Sequence, residues 1–153
     1  MTPSSPRRLA TTTTDEQAQY HARLAGAAEL YAESSWKIFP LVRGTKIPLK
    51  GSHGHLDATD NLEQIKKWWR DNPGANIGLA LEANGLAALD IDRHVDQSGQ
   101  VRDEFEVLAR LEAELGPLPP CPTQTSGGDG QHRVFTVGRG LALKRHMAPD
   151  GVE

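Results

Sequence analysis

Leu86-Ala87-Ala88-Leu89-Asp90-Ile91-Asp92 is an apolar run that closes on two carboxylates two positions apart. As a strand, its period of two puts Asp90 and Asp92 on one face. Paired carboxylates repel each other and are stabilised by a hard divalent cation. The pattern therefore suits Mg²⁺ or Mn²⁺ held jointly with substrate phosphates, the requirement of nucleotidyl transfer. It also fits a strand end that dips into solvent.

Just upstream, residues 76–81 form a second apolar run, separated from the first by Glu82-Ala83-Asn84-Gly85. Asn-Gly tolerates positive φ at both positions, so the two runs are expected to pair as an antiparallel hairpin. Before them, Tyr20, Leu24, Ala27 and Tyr31 recur at helical steps, predicting a helix from Asp15 to about Ser34. Residues 36–41 alternate loosely between turn residues and predict a strand. A second, short helix is expected where Asp60 and Glu63 make a capping-box-like start. Leu62, Ile65 and Trp69 would line its inner face, and Asn72-Pro73-Gly74 would end it. Downstream, Val101, Phe105, Leu108, Leu111 and Leu115 mark a third amphipathic helix that stops before Gly116-Pro117. Residues 123–125 and 133–137 then flank a glycine-rich segment, predicting two strands joined by a hairpin or loop.

With 153 residues the chain is long enough for one sizeable core. The first fourteen residues, with two arginines and four consecutive threonines, predict a disordered leader, followed by a folded domain over residues 15–153. Seventeen basic against twenty acidic side chains leave a net charge of −3, which excludes a polybasic binder, so nucleic acid would have to meet a local patch. Cys121 is the only cysteine. It rules out an internal disulfide and a multi-cysteine zinc site, and fits a reducing cytoplasm. No stretch reaches the length of an apolar membrane span, and the N-terminus lacks the apolar segment of a secretory signal.

Three further features bear on chemistry. In Thr125-Ser126-Gly127-Gly128-Asp129-Gly130-Gln131-His132, Gly127 and Gly128 let backbone N–H groups turn toward an anion, Ser126 adds a hydroxyl, and His132 is a donor for phosphate oxygen. An ordinary hairpin tip would look alike, and no Gly-Lys-Ser/Thr follows, which argues against a Walker-type ATPase. The loop from Arg43 through Lys46 to Lys50 carries three basic side chains that either contact phosphates or are simply solvated. His53 and His55, at i and i+2, lack an evident third metal ligand. Trp68 and Trp69 are stacking candidates, with at least one expected in the core.

In order, the chain carries Tyr31-Ala32-Glu33, Trp36-Lys37-Ile38-Phe39-Pro40-Leu41, Gly44-Thr45-Lys46-Ile47-Pro48, Asp57-Ala58-Thr59-Asp60 and Trp68-Trp69. Ala75-Asn76-Ile77-Gly78-Leu79-Ala80, Leu89-Asp90-Ile91-Asp92, Thr125-Ser126-Gly127-Gly128, His132 and Phe135 follow. This series resembles the N-terminal primase-polymerase domain of bifunctional replication proteins from phages, plasmids and other mobile elements, within the archaeo-eukaryotic primase superfamily. The resemblance implies an α+β fold, with a catalytic palm on an RRM-like sheet beside a small N-terminal αβ module. It implies that Asp90 and Asp92 bind Mg²⁺ or Mn²⁺, and that Ser126 and His132 hold the phosphates of a nucleoside triphosphate. Lys46, with Arg43 beside it, would add phosphate contacts. Glu153 is the counterpart of a third acidic metal ligand, and the palm is expected to be cut short at its C-terminal edge. The implied function is template-directed nucleotidyl transfer on single-stranded DNA, alongside a helicase domain or subunit. A nucleotide- or single-stranded-DNA-binding module without catalysis, and a metal-dependent phosphohydrolase, are the alternatives.

Overall fold

The computed structural model describes residues 11–95, 99, 101–126 and 130–137. These are mixed helix and antiparallel sheet, an α+β fold, in two compact units divided between Asn84 and Gly85.

The first unit opens with helix α1, Thr11–Glu33. It begins one turn earlier than expected, because the threonines extend it. Threonine costs only a few tenths of a kcal/mol per residue in a helix, a small penalty where a long helix already follows. The inward stripe is also displaced by one residue from the expected one. Ala28 and Ala32 are buried, with Leu24 and Ala25 packed beside them, whereas Tyr20 and Tyr31 are more than 40 % exposed. Small alanines let a neighbouring helix approach closely, while the tyrosines keep their hydroxyl ends in water. The helix ends in a Schellman motif: Trp36 N–H donates to Tyr31 O (2.9 Å) and Ser35 N–H to Ala32 O (2.8 Å). Ser35 takes the left-handed position at φ 61°.

Strand β1, Ile38–Leu41, pairs antiparallel with β2, Asn76–Leu79, in the register Ile38↔Leu79 and Phe39↔Gly78. Between them lies helix α2, Leu62–Asp71. Its N-cap is Asn61, whose side-chain oxygen accepts from Gln64 N–H at 2.9 Å, one residue later than the Asp60 start predicted. Ile65 and Trp69 are buried with Ile38, and the Trp69 indole N–H reaches Ala75 O at 3.0 Å, tying the helix end to the turn that follows. Full burial of Ile38 and Ile65 contributes roughly 1.5–3 kcal/mol each.

Gly78 shows how tightly this unit is packed. A β-carbon there would lie 2.6–2.9 Å from three carbons of the Phe39 ring, which covers the glycine from the paired strand. Gly78→Ala is therefore expected to lower stability by about 1–3 kcal/mol, read as a fall in the denaturation midpoint with unchanged slope. An unchanged midpoint would show that Phe39 does not cover Gly78 as described.

The expected hairpin between residues 76–81 and 86–92 does not form. Asn84 closes a 3₁₀ turn, Glu82–Asn84, and spends its side chain on the residue just before β1: Oδ1 accepts from Lys37 N–H (2.8 Å) while Nδ2 donates to Lys37 O (2.9 Å). The turn therefore ends the first unit, and each apolar run finds a different partner.

The second unit begins with β3, Leu86–Ile91. Next come a hairpin of β4, Arg93–Val95, and β5, Val101–Asp103, then helix α3, Glu104–Leu115. The helix starts three residues later than its apolar spacing suggested. Val101 is 62 % exposed and belongs to β5, and the Asp103 carboxylate caps α3 by accepting from Phe105 N–H at 3.0 Å. Strands β6, Thr123–Thr125, and β7, Gln131–Thr136, complete an antiparallel sheet in the order β3-β7-β6. The pair flanking the glycine-rich segment thus exists as expected. Among the described residues no helix is long and apolar enough to cross a membrane.

Candidate metal and nucleotide site

The β3-β7-β6 sheet brings the two candidate motifs together. Asp90 stands opposite His132, and His132 opposite Gln124, so the three share a row across the sheet. One step along, Ser126 N–H donates to Gly130 O at 2.8 Å, and continuing the β3–β7 register sets Asp92 against Gly130. Side chains two apart on a strand share a face, so the row Asp92, Gly130, Ser126 lies beside the row Asp90, His132, Gln124. Ile91, between the two aspartates, is fully buried on the opposite side. His132 and Arg133 likewise diverge: Arg133 Nη1 lies 3.7 Å from Glu112 Oε1 on α3. Glu112 of α3 thus meets Arg133 on the sheet face opposite His132.

His132 Nε2 lies 3.1 Å from Asp90 Oδ1, within ion-pair distance but without the alignment of a hydrogen bond. Among the described residues that oxygen has no hydrogen-bond partner, although the Asp90 side chain as a whole is 47 % exposed. Gly130 is buried at the meeting point of Asp92 and Ser126. A β-carbon on it would sit 2.6 Å from Ser126 Oγ and would run into Asp92 Oδ1. The missing side chain is what lets the carboxylate and the hydroxyl approach the same strand from either side.

Asp92 is also held from behind. Its N–H donates to Glu104 Oε2 at 2.7 Å, and Glu104 N–H donates to Asp92 O at 3.2 Å. Beside this link, the Asp103 carboxyl accepts from Arg93 Nε at 2.8 Å. That bond, helped by the backbone N–H groups that Asp103 caps, holds its pKa below the usual carboxylate value. Arg93 also lies over the Phe105 ring, 5.1 Å from its centre.

The remaining candidates fall elsewhere. Gly127, Gly128 and Glu153 lie outside the described residues. Arg43 and Lys46 belong to the first unit, both exposed on a loop. Asn76 pins that loop, its Oδ1 accepting from Gly44 N–H at 3.4 Å and its Nδ2 donating to Thr45 O at 2.9 Å. His53 is engaged with Asp57: its N–H donates to Oδ2 (2.7 Å) and its ring nitrogen lies 3.1 Å from Oδ1. The backbone bond is the larger cause of a lowered Asp57 pKa. Trp69 is core, while Trp68 is half-buried and lines an open groove with Asp57, Thr59 and Lys67. Among the described residues no three His, Cys, Asp or Glu side chains group closely enough to hold a metal ion by themselves.

Three contributors were missed from sequence: Gln124, Gly130 and Glu104. Gln124 was foreseeable once the β6–β7 pairing was drawn, because it sits opposite His132. Gly130 looked like any glycine of its run, and Glu104 like any acid in a first helical turn.

Neither the comparison with curated proteins nor that with solved structures found a match. A family model described as the bifunctional DNA primase/polymerase N-terminal domain matches residues 28–153, a span that includes both polar rows and most of the first unit. The chain therefore belongs to the family of bifunctional DNA primase/polymerase N-terminal domains.

Proposed function

We propose that this chain carries a template-directed nucleotidyltransferase site, in which Asp90 and Asp92 bind Mg²⁺ or Mn²⁺ and Ser126 and His132 hold a nucleoside triphosphate. The observation that carries it is the register of β3 on β7, which sets Asp90 opposite His132 on one sheet face. The donor set fits a hard cation. Two carboxylates offer oxygen alone, one of those oxygens has no hydrogen-bond partner among the described residues, and such ions commonly take one or two carboxylates plus substrate phosphates. When bound, the metal stabilises charge on the attacking and leaving oxygens.

The chain's own residues supply position. Ser126 and the N–H groups of Gly127 and Gly128 bind phosphate oxygens, and His132 donates to another. Arg43 and Lys46 contact phosphates of template or nucleotide. The substrate's α-phosphorus is then attacked by a 3′-hydroxyl: the O3′–P bond forms, the bond to the bridging oxygen breaks, the hydroxyl proton is lost to solvent, and pyrophosphate leaves. Glu153 is the candidate third acid. A helicase domain or subunit as partner, a cytoplasmic setting and an origin in a mobile element belong to the same proposal.

The test is to incubate the chain with single-stranded template, nucleotides and Mn²⁺ and to resolve products by length. Strand growth is expected. Release of nucleoside monophosphate or orthophosphate without growth would instead identify a phosphohydrolase, since water can replace the 3′-hydroxyl in such sites.

A further inference from the structure

The β4–β5 hairpin interrupts the path from β3 to α3, and its two ends meet at Asp92 and Glu104. Arg93 pairs with Asp103, and one residue outward Glu104 takes both backbone groups of Asp92: its Oε2 accepts the N–H, and its own N–H donates to the carbonyl. Glu104 is only 4 % exposed. A carboxylate is costly to bury unless it is well bonded. The N-cap of α3 is filled by Asp103, and the Glu104 side chain reaches the Asp92 N–H instead. Meanwhile the side chain of Asp92 lies against Gly130 from the other side.

We infer that Glu104 is a positioning residue for Asp92. It clamps the backbone at the corner where the strand passes into the hairpin, so that the Asp92 carboxylate stays over Gly130 beside Ser126. Given the proposed role of Asp92 as a metal ligand, on which this rests, the clamp sets metal affinity without touching metal or substrate. The contribution is that of an acceptor oxygen at the right reach of the Asp92 N–H.

Glu104→Ala, Glu104→Gln, Glu104→Asp and Asp92→Ala in the full chain separate these points. Three quantities are measured: Mn²⁺ affinity in the presence of a nucleoside triphosphate, hydrogen exchange at the Asp92 amide without metal, and the melting midpoint. Glu104→Ala is expected to weaken Mn²⁺ binding by about 10–100-fold, as losses of outer-shell partners do, and to speed Asp92 exchange. Glu104→Gln, which keeps an acceptor oxygen at the same reach, should keep the Asp92 amide protected from exchange. Glu104→Asp keeps the charge but is one methylene short; it should speed Asp92 exchange and weaken Mn²⁺, and it decides the matter if the alanine variant does not fold. A folded alanine or aspartate variant with wild-type affinity and a protected Asp92 amide overturns the clamp. If Asp92→Ala binds Mn²⁺ normally, the metal role of Asp92 fails, and the exchange measurements still report whether Glu104 holds Asp92.

Discussion

Asp90→Asn is expected to leave the chain folded and to reduce template-dependent nucleotide incorporation by about three powers of ten. The amide has the shape of the carboxylate without its charge. Charge stabilisation at such sites contributes several kcal/mol, and each 1.36 kcal/mol is a factor of ten in rate. Stability should change little, because the partly exposed Asp90–His132 pair is screened by water and contributes about 0–1 kcal/mol. A loss of incorporation with an intact melting midpoint would locate the defect in chemistry. Retained incorporation would remove Asp90 from the metal site.

Gly130→Ala is expected to damage stability and activity together. The new methyl group would meet Asp92 Oδ1 and Ser126 Oγ, and Gly130 cannot withdraw while its carbonyl accepts from Ser126 N–H. Overpacking of this kind costs about 1–3 kcal/mol. The two side chains must give way, and displacement of a positioned group by about 1 Å can lower rate roughly a hundredfold. Incorporation by the folded fraction should fall even below the melting transition. A variant that melts early but works at wild-type rate when folded would show that Asp92 and Ser126 tolerate the displacement.

What could be read from sequence was governed by range. The two-residue period at Asp90 and Asp92 is local, and the burial of Ile91 between them agrees with it. The glycine-rich segment was correctly set between two strands, because short apolar and β-branched runs with turn residues between them are also local signals. The partner of β3 is not local. Asn84-Gly85 pointed to the preceding run, but the Asn84 side chain had a better use on Lys37, and the true partner is β7. Similarly, the apolar spacing that began at Val101 ran through a strand into a helix, because the Asp103 cap fixes where the helix starts. In α1 large side chains defined the expected stripe, whereas alanines lie in the core.

Within the candidate site the residue types were legible and their assembly was not. Asp90, Asp92, Ser126 and His132 were recognisable by type and order, and the sheet unites them. The groups that make the arrangement possible carry no chemical signature of their own. Gly130 acts by lacking a side chain, and Glu104 acts on a backbone N–H. Both become visible only when the strands are in register.

The two motifs are proposed to form one site for a metal-bound triphosphate. Calorimetric titration of a nucleoside triphosphate into the full chain, with and without Mn²⁺, and into its Asp90→Ala and His132→Ala variants decides this. Binding should require Mn²⁺ and be weakened by both substitutions. Binding in a folded protein that needs no metal, or that survives either substitution unchanged, would contradict it.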